Sequence, residues 1–125
     1  MGKFVMKTNE KGSRFVLKAG NGEIIAVSQM YASLDGCING VASVKSNAPE
    51  ANIEDQTVPD YEELGFPKWQ IFNDAAGEFR FRLVAMNGET VLAASEGYTR
   101  KENAIKGMDS VRNNLEELNI VGPEE

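Results

Sequence analysis

The chain has 125 residues, 42% of them hydrophobic, with 13 Lys and Arg against 19 Asp and Glu, no histidine and one cysteine. That is enough for one ordinary domain, or for two very small units leaning on a common core, and it is too apolar for a disordered chain. The lack of histidine removes the commonest general base near neutral pH and the commonest transition-metal ligand, while a single cysteine excludes an internal disulfide and fits a reducing cytoplasm.

No apolar run approaches the roughly 18 residues of a membrane span, so no membrane partner is expected. Residues 1–12 hold Lys3, Lys7 and Lys11 without a continuous apolar stretch, so they do not read as a secretory signal. Phe4 and Met6 begin a short alternating run, and a polar turn follows that ends at Gly12. Phe15, Leu17 and Ala19 then alternate with Arg14, Val16 and Lys18, the period-two pattern of a half-buried strand. Asn21-Gly22 predicts a two-residue type I′ turn, which needs positive φ at both central positions. That turn pairs Ala19 with Ile24 and Leu17 with Ala26. After Tyr31 a helix is predicted, with Ser33 as its cap and Cys37, Ile38, Val41 and Val44 on its apolar face. Gly40 lies in that face at a cost of about 1 kcal/mol against alanine, which predicts close backbone approach to the sheet or between helices. Asn52-Ile53 marks a short fourth strand. Residues 58–66, with Pro59 and an acidic run, form the connector.

Residues 67–125 then say the same thing again as residues 1–57. Gly12, Arg14, Phe15, Leu17, Ala19, Asn21, Gly22 and Glu23 recur as Gly77, Arg80, Phe81, Leu83, Ala85, Asn87, Gly88 and Glu89. Ser28, Tyr31, Ile38, Gly40, Ser43, Val44, Asn47, Glu50, Asn52 and Ile53 recur as Ser95, Tyr98, Ile105, Gly107, Ser110, Val111, Asn114, Glu117, Asn119 and Ile120, and Lys3 recurs as Lys68. The second copy predicts pairing of Ala85 with Thr90 and Leu83 with Leu92, a capping box of Thr99 and Glu102, and a helix face of Ala104, Ile105, Met108 and Val111. The offset between copies grows from 65 to 66 before the second strand and to 67 after the third. Two insertions on opposite arms of one hairpin would give the second copy an extra matched rung. Each copy is thus β-β-β-α-β, too thin a core to stand alone. The predicted fold is α+β, with tandem repeats related by a pseudo-twofold axis and both helices packed on one face of a continuous antiparallel sheet.

Charge is unevenly placed. Residues 51–66 hold Glu54, Asp55, Asp60, Glu62 and Glu63 without Lys or Arg, and the tail adds Glu116, Glu117, Glu124 and Glu125. Without these nine, 13 basic residues face 10 acidic ones, so the repeats themselves are near neutral. The acidic stretches read as solubilising segments.

These residues carry a resemblance. Arg80-Phe81-Arg82-Leu83, Asn87-Gly88-Glu89, Ser95-Glu96-Gly97-Tyr98, Ser110-Val111-Arg112-Asn113-Asn114 and, in the first copy, Ser43-Val44-Lys45-Ser46-Asn47 resemble the YegP-like bacterial family over nearly the whole chain. The resemblance implies a single antiparallel sheet in which the last strand of each unit is exchanged onto the other. It implies no activity.

Candidate chemistry is sparse. Cys37 lies on the apolar helix face and reads as a small core residue, and Ser28 and Ser95 lack a base. The Asn-Gly-Glu turns do not lead from a strand into a helix, as phosphate loops do, and Glu23 and Glu89 stand on different hairpins. No cofactor and no metal are expected, and the reading is non-catalytic. What remains is the sheet face away from the helices, where Lys7, Arg14, Val16, Lys18 and Val27 would join Phe72, Arg80, Arg82, Val84 and Val91. Within it, Lys18, Arg14, Phe72, Arg80 and Arg82 form the candidate site, suited to an acidic protein segment or an anionic ligand on a monomeric tandem repeat. Nucleic acid is the alternative partner, disfavoured by few exposed aromatic platforms.

Overall fold

The computed structural model describes residues 3–19, 21–114 and 119–124. The alternating segments of the first repeat form β1 (Lys3–Asn9), β2 (Gly12–Lys18) and β3 (Ile24–Val27), followed by α1 (Leu34–Asn47) and β4 (Asn52–Asp55). The second repeat forms β5 (Lys68–Asn73), β6 (Phe79–Val84), β7 (Thr90–Ala94), α2 (Lys101–Asn114) and β8 (Asn119–Glu124). These eight strands make one sheet in the order β4-β5-β6-β7-β3-β2-β1-β8. Each repeat's last strand lies on the other repeat, β4 beside β5 and β8 beside β1, so the exchange is present. Both exchanged strands run parallel to their neighbours, which makes the sheet mixed rather than antiparallel throughout. Parallel neighbours need a crossover connection, and between β4 and β5 that crossover is the connector, since each helix joins two strands that run in opposite directions, β3 to β4 and β7 to β8. At the centre β3 meets β7 through Val27↔Ala93 and Ala26↔Ala94. Val27 and Ala93 are equivalent positions, so the pseudo-twofold axis passes beside them.

Both helices cover one face. Phe4, Phe15 and Leu17 of one repeat and Trp69, Phe81 and Leu83 of the other are buried there with Cys37, Val41 and Val44 of α1 and Ala104, Met108 and Val111 of α2. Trp69 Nε1 donates to the Ala48 carbonyl at 3.2 Å, tying the end of the first helix to a strand of the second repeat. Ile38, expected on the buried face, is 41% exposed, because α1 turns only Cys37, Gly40, Val41 and Val44 fully inward. The two helix glycines make room for tyrosines. A Cβ on Gly40 would overlap Tyr31 Oη and lie 2.6 Å from its Cζ, and one on Gly107 would lie 2.8 Å from Tyr98 Oη. The close approach is therefore between helix and sheet-side aromatics.

Four local expectations need correcting. The Asn-Gly hairpins are not type I′: Gly22 (φ 87°) and Gly88 (83°) are left-handed, but Asn21 and Asn87 are not. Gly88 N–H donates to Ala85 O at 2.9 Å and Ala85 N–H to Glu89 O at 2.9 Å, closing a three-residue loop with a bulge at the glycine; Gly22, Ala19 and Glu23 repeat the pattern. Asn87 Oδ1 accepts from Glu89 N at 3.0 Å, so the asparagine acts through its side chain. Leu17↔Ala26 and Leu83↔Leu92 pair as expected, while the bulge pairs Ile24 with Lys18 and Thr90 with Val84. The extra rung is also absent, since β2–β3 and β6–β7 have equivalent partners at a constant offset. One insertion widens the β5–β6 turn, where Gly77 adopts φ 82°, and the other lengthens the end of β7. Ser33 caps α1, its Oγ accepting from Gly36 N at 3.1 Å. The Thr99–Glu102 capping box does not form: α2 starts one residue later, Ala104 N donates to Arg100 O, and Glu102 pairs with Arg100 at 2.9 Å. Finally, Val91 lies in the main core rather than on the far face, next to the β6–β7 bulge that breaks strict alternation. Glu116, Glu117 and Glu125 of the acidic tail lie outside the described residues.

Candidate functional site

One row of residues runs along the face away from the helices, Glu54, Gln70, Arg82, Ala93, Val27, Val16 and Val5, each in register with the next, and Val121 of β8 continues the register beside Val5. The pseudo-twofold axis relates Val5 to Gln70, Val16 to Arg82 and Val121 to Glu54. Equivalent positions are thus valine in the first half and polar in the second. The two halves of this face have diverged into different surfaces.

The second half is a closed polar network. Glu54 is 1% exposed and its carboxylate accepts from Lys68 Nζ, Leu64 N and Gln56 Nε2, each at 2.7 Å, and from Gln70 Nε2 at 3.0 Å. Burial pushes the Glu54 carboxyl up, but these hydrogen bonds, the Lys68 one foremost, outweigh it and hold the pKa down to about 2. Lys68 Nζ also donates to Leu64 O at 2.9 Å and sits 4.8 Å over the Phe66 ring, so the connector is drawn across this half. Arg82 Nε donates to Gln70 Oε1, and its guanidinium stacks 4.2 Å over Phe72. Arg80 Nε bonds Asp74 Oδ2 at 2.7 Å, which holds the Asp74 carboxyl below the usual range. Asp55, the next residue of β4, turns to the helix side instead, where it bonds Thr57 and Lys101 of α2. Burial pushes its carboxyl up, and those partners more than reverse the shift.

On the first half of this face, Lys3, Lys7, Arg14 and Lys18 have no such network among the described residues. Lys3 stands opposite Lys18 and Lys7 opposite Arg14, in the rows flanking Val5 and Val16, which are 0% and 1% exposed. None of the four has an ion pair among the described residues. The register sets Glu124 alongside Lys7 on the next strand. Arg14 is equivalent to Arg80, but the position of Asp74 is taken by Asn9, which cannot neutralise it. Lys7 likewise replaces Phe72. Like charges directly opposite across a ladder are destabilising, so the sheet carries a local repulsion here.

The candidate residues therefore separate. Phe72, Arg80 and Arg82 lie together on β5 and β6 with their polar groups engaged, whereas Arg14 and Lys18 lie on β2, three strands or about 14 Å away. Sequence reasoning missed the Glu54–Lys68 network, counting Glu54 among the solubilising acids. Its signal was the replacement of valine by a polar residue at three positions that prove to share one row. Other chemistry is thin. Cys37 is fully buried, which raises its thiol pKa. Among the described residues no three His, Cys, Asp or Glu side chains gather into a group that could hold a metal ion. No described helix is long and apolar enough to cross a membrane.

Comparison with known proteins agrees with this architecture. The family described as "Domain of unknown function (DUF1508)" matches residues 9–55 and 74–121, once per repeat. The UPF0339 protein YegP of Escherichia coli is 34% identical over 109 residues, covering 86% of this chain and 84% of that protein. A UPF0339 protein of Methanosarcina acetivorans is 57% identical over 54 residues, which are 42% of this chain but 93% of its own length, so it spans a single repeat. The solution structure of E. coli YegP, described as a protein of unknown function, superposes with a TM-score of 0.74 at 29% identity, covering 95% of this chain and 90% of that one. The chain belongs to the DUF1508 family.

Proposed function

We propose that this DUF1508 protein is a non-catalytic binding module that takes an acidic protein segment on the first-repeat half of the sheet face away from the helices, where charged side chains flank the buried Val5 and Val16. The observation that carries the reading is the pairing of Lys3 with Lys18 and Lys7 with Arg14 on adjacent strands, with Arg14 and Lys3 exposed. Four cations fall within about 13 Å along the strands and one strand spacing across them. An extended chain of alternating Asp or Glu laid across these strands relieves their mutual repulsion and gains charge-assisted contacts. The second half does not compete, because Arg80 and Arg82 already have Asp74, Gln70 and Phe72. No aromatic side chain lies among the first-half positions, which favours an acidic peptide over stacked bases. The chain has no histidine, the commonest general base near neutral pH, and its one cysteine is buried, which supports the non-catalytic reading.

Fluorescence anisotropy with a labelled glutamate-rich peptide and a labelled oligothymidylate, at low and physiological salt, tests this. The peptide should bind at low salt, and Arg14→Glu/Lys18→Glu should weaken it by about tenfold or more, while Arg80→Glu/Arg82→Glu should act chiefly on stability. Absence of peptide binding at low salt, or binding untouched by Arg14→Glu/Lys18→Glu, would sink the proposal. Tighter binding of the oligonucleotide would transfer the same face to nucleic acid.

A further inference from the structure

The seam between the two repeats is closed at one end and open at the other. At the closed end Ser95 N donates to Ile25 O at 3.1 Å and Ser95 Oγ to Ile24 O at 2.7 Å. Its counterpart Ser28 turns the other way: Ser28 N donates to Phe15 O at 2.9 Å, and Ser28 Oγ accepts from Phe15 N at 3.0 Å. The cause is the single residue added at the end of β7. Successive residues of a strand point their N–H and C=O to opposite sides, so one insertion turns Ser95 towards β3 while Ser28 stays on β2. The β3–β7 ladder therefore stops at Val27↔Ala93, and beyond it lies a cleft of about 380 Å³ between Ser28 and Gln29 on one side and Glu89, Thr90 and Leu92 on the other.

We infer that this cleft binds a guanidinium or primary ammonium group on an aliphatic stem. Val27 and Ala93, both half-buried, supply apolar lining for a stem, and Gln29, Thr90 and Glu89 supply acceptors at the rim. Glu89 is exposed and has no ion pair among the described residues, and no Lys or Arg lines the cleft. A carboxylate, an amide and a hydroxyl around an apolar floor select a cationic donor over an anion. The site is separate from the basic patch on β1 and β2, and its sign is opposite, so one can fail without the other.

Amide-resolved NMR titration of the full chain with agmatine tests it, alongside a neutral-flanked peptide carrying one arginine. Saturable shifts should be confined to residues 27–29 and 89–93, and Glu89→Gln should weaken them about fivefold, the upper range for an exposed ion pair. Gln29→Arg, which supplies a guanidinium from the chain itself, should abolish them. Preference for agmatine would mark a free amine as the ligand, and preference for the peptide an arginine side chain. No saturable shift with either probe, or equal shifts in wild type and Glu89→Gln, would overturn the inference.

Discussion

Glu54→Gln is the sharpest test of how the second half of the sheet face away from the helices is held. The substitution keeps the shape of the side chain and removes its charge, leaving the Lys68 ammonium, whose side chain is 4% exposed, without its counter-ion. Breaking one partner of a buried ion pair costs about 3–5 kcal/mol. A second estimate comes from proton linkage. Glu54 titrates near 2 in the folded protein instead of its ordinary 4.5, a shift worth about 3 kcal/mol. Because the folded pKa is depressed, this stability is fully present above about pH 4.5 and is lost as the pH falls through about 2. Asp55 and Asp74 are shifted in the same direction, so the difference between wild type and Glu54→Gln isolates the Glu54 share. Urea denaturation followed by the single tryptophan, the buried Trp69, measures it. The variant should be about 3–5 kcal/mol less stable at neutral pH, and the two proteins should converge near pH 2. Parallel pH profiles, or a neutral-pH loss below about 1 kcal/mol, would refute the argument that a buried, fully bonded carboxylate organises this half.

Further expectations concern packing and turns. Gly107→Ala should lower stability by about 1–3 kcal/mol despite a better helix former, and Tyr98→Phe should restore most of that loss, since the next contacts are 3.2–3.4 Å away. Gly40→Ala should cost more, and Tyr31→Phe should rescue it less, because the Tyr31 ring carbon is also within overlap distance; thermal melts of the double variants decide this. Gly22→Ala should cost about 1 kcal/mol from its backbone angle alone, as nothing lies within 4 Å of the added carbon, and Gly22→Asn should cost less. A neutral Gly22→Ala would show that the hairpin does not hold its left-handed angle in solution.

Much of this protein was readable along the chain. Alternation placed Phe15, Leu17, Phe81 and Leu83 on the buried face, the Ser33 cap was visible as a side chain with an oxygen in the right place, and the doubled pattern announced two units with one core. These depend on neighbours two to four residues apart, and local geometry sets them. The hairpins were half legible: Asn-Gly marked where the chain turns, but whether the asparagine bends its own backbone or bonds through its side chain depends on the bulge that follows.

The repeat, the order of elements and most inward-facing residues follow from the chain alone, because periodicity and capping act over a single turn or strand, but Ile38 and Val91 do not follow that pattern. Assembly of the sheet is what sets the exchanged strands parallel, brings Glu54 to Lys68 and Gln70, and engages Arg80 and Arg82 while leaving Arg14 and Lys18 without an ion pair among the described residues. Those contacts join positions from different strands, and their energies depend on burial and register, which exist only once the sheet is assembled. The same sheet turned Ser28 and Ser95, equal in the sequence, toward different partners through one added residue.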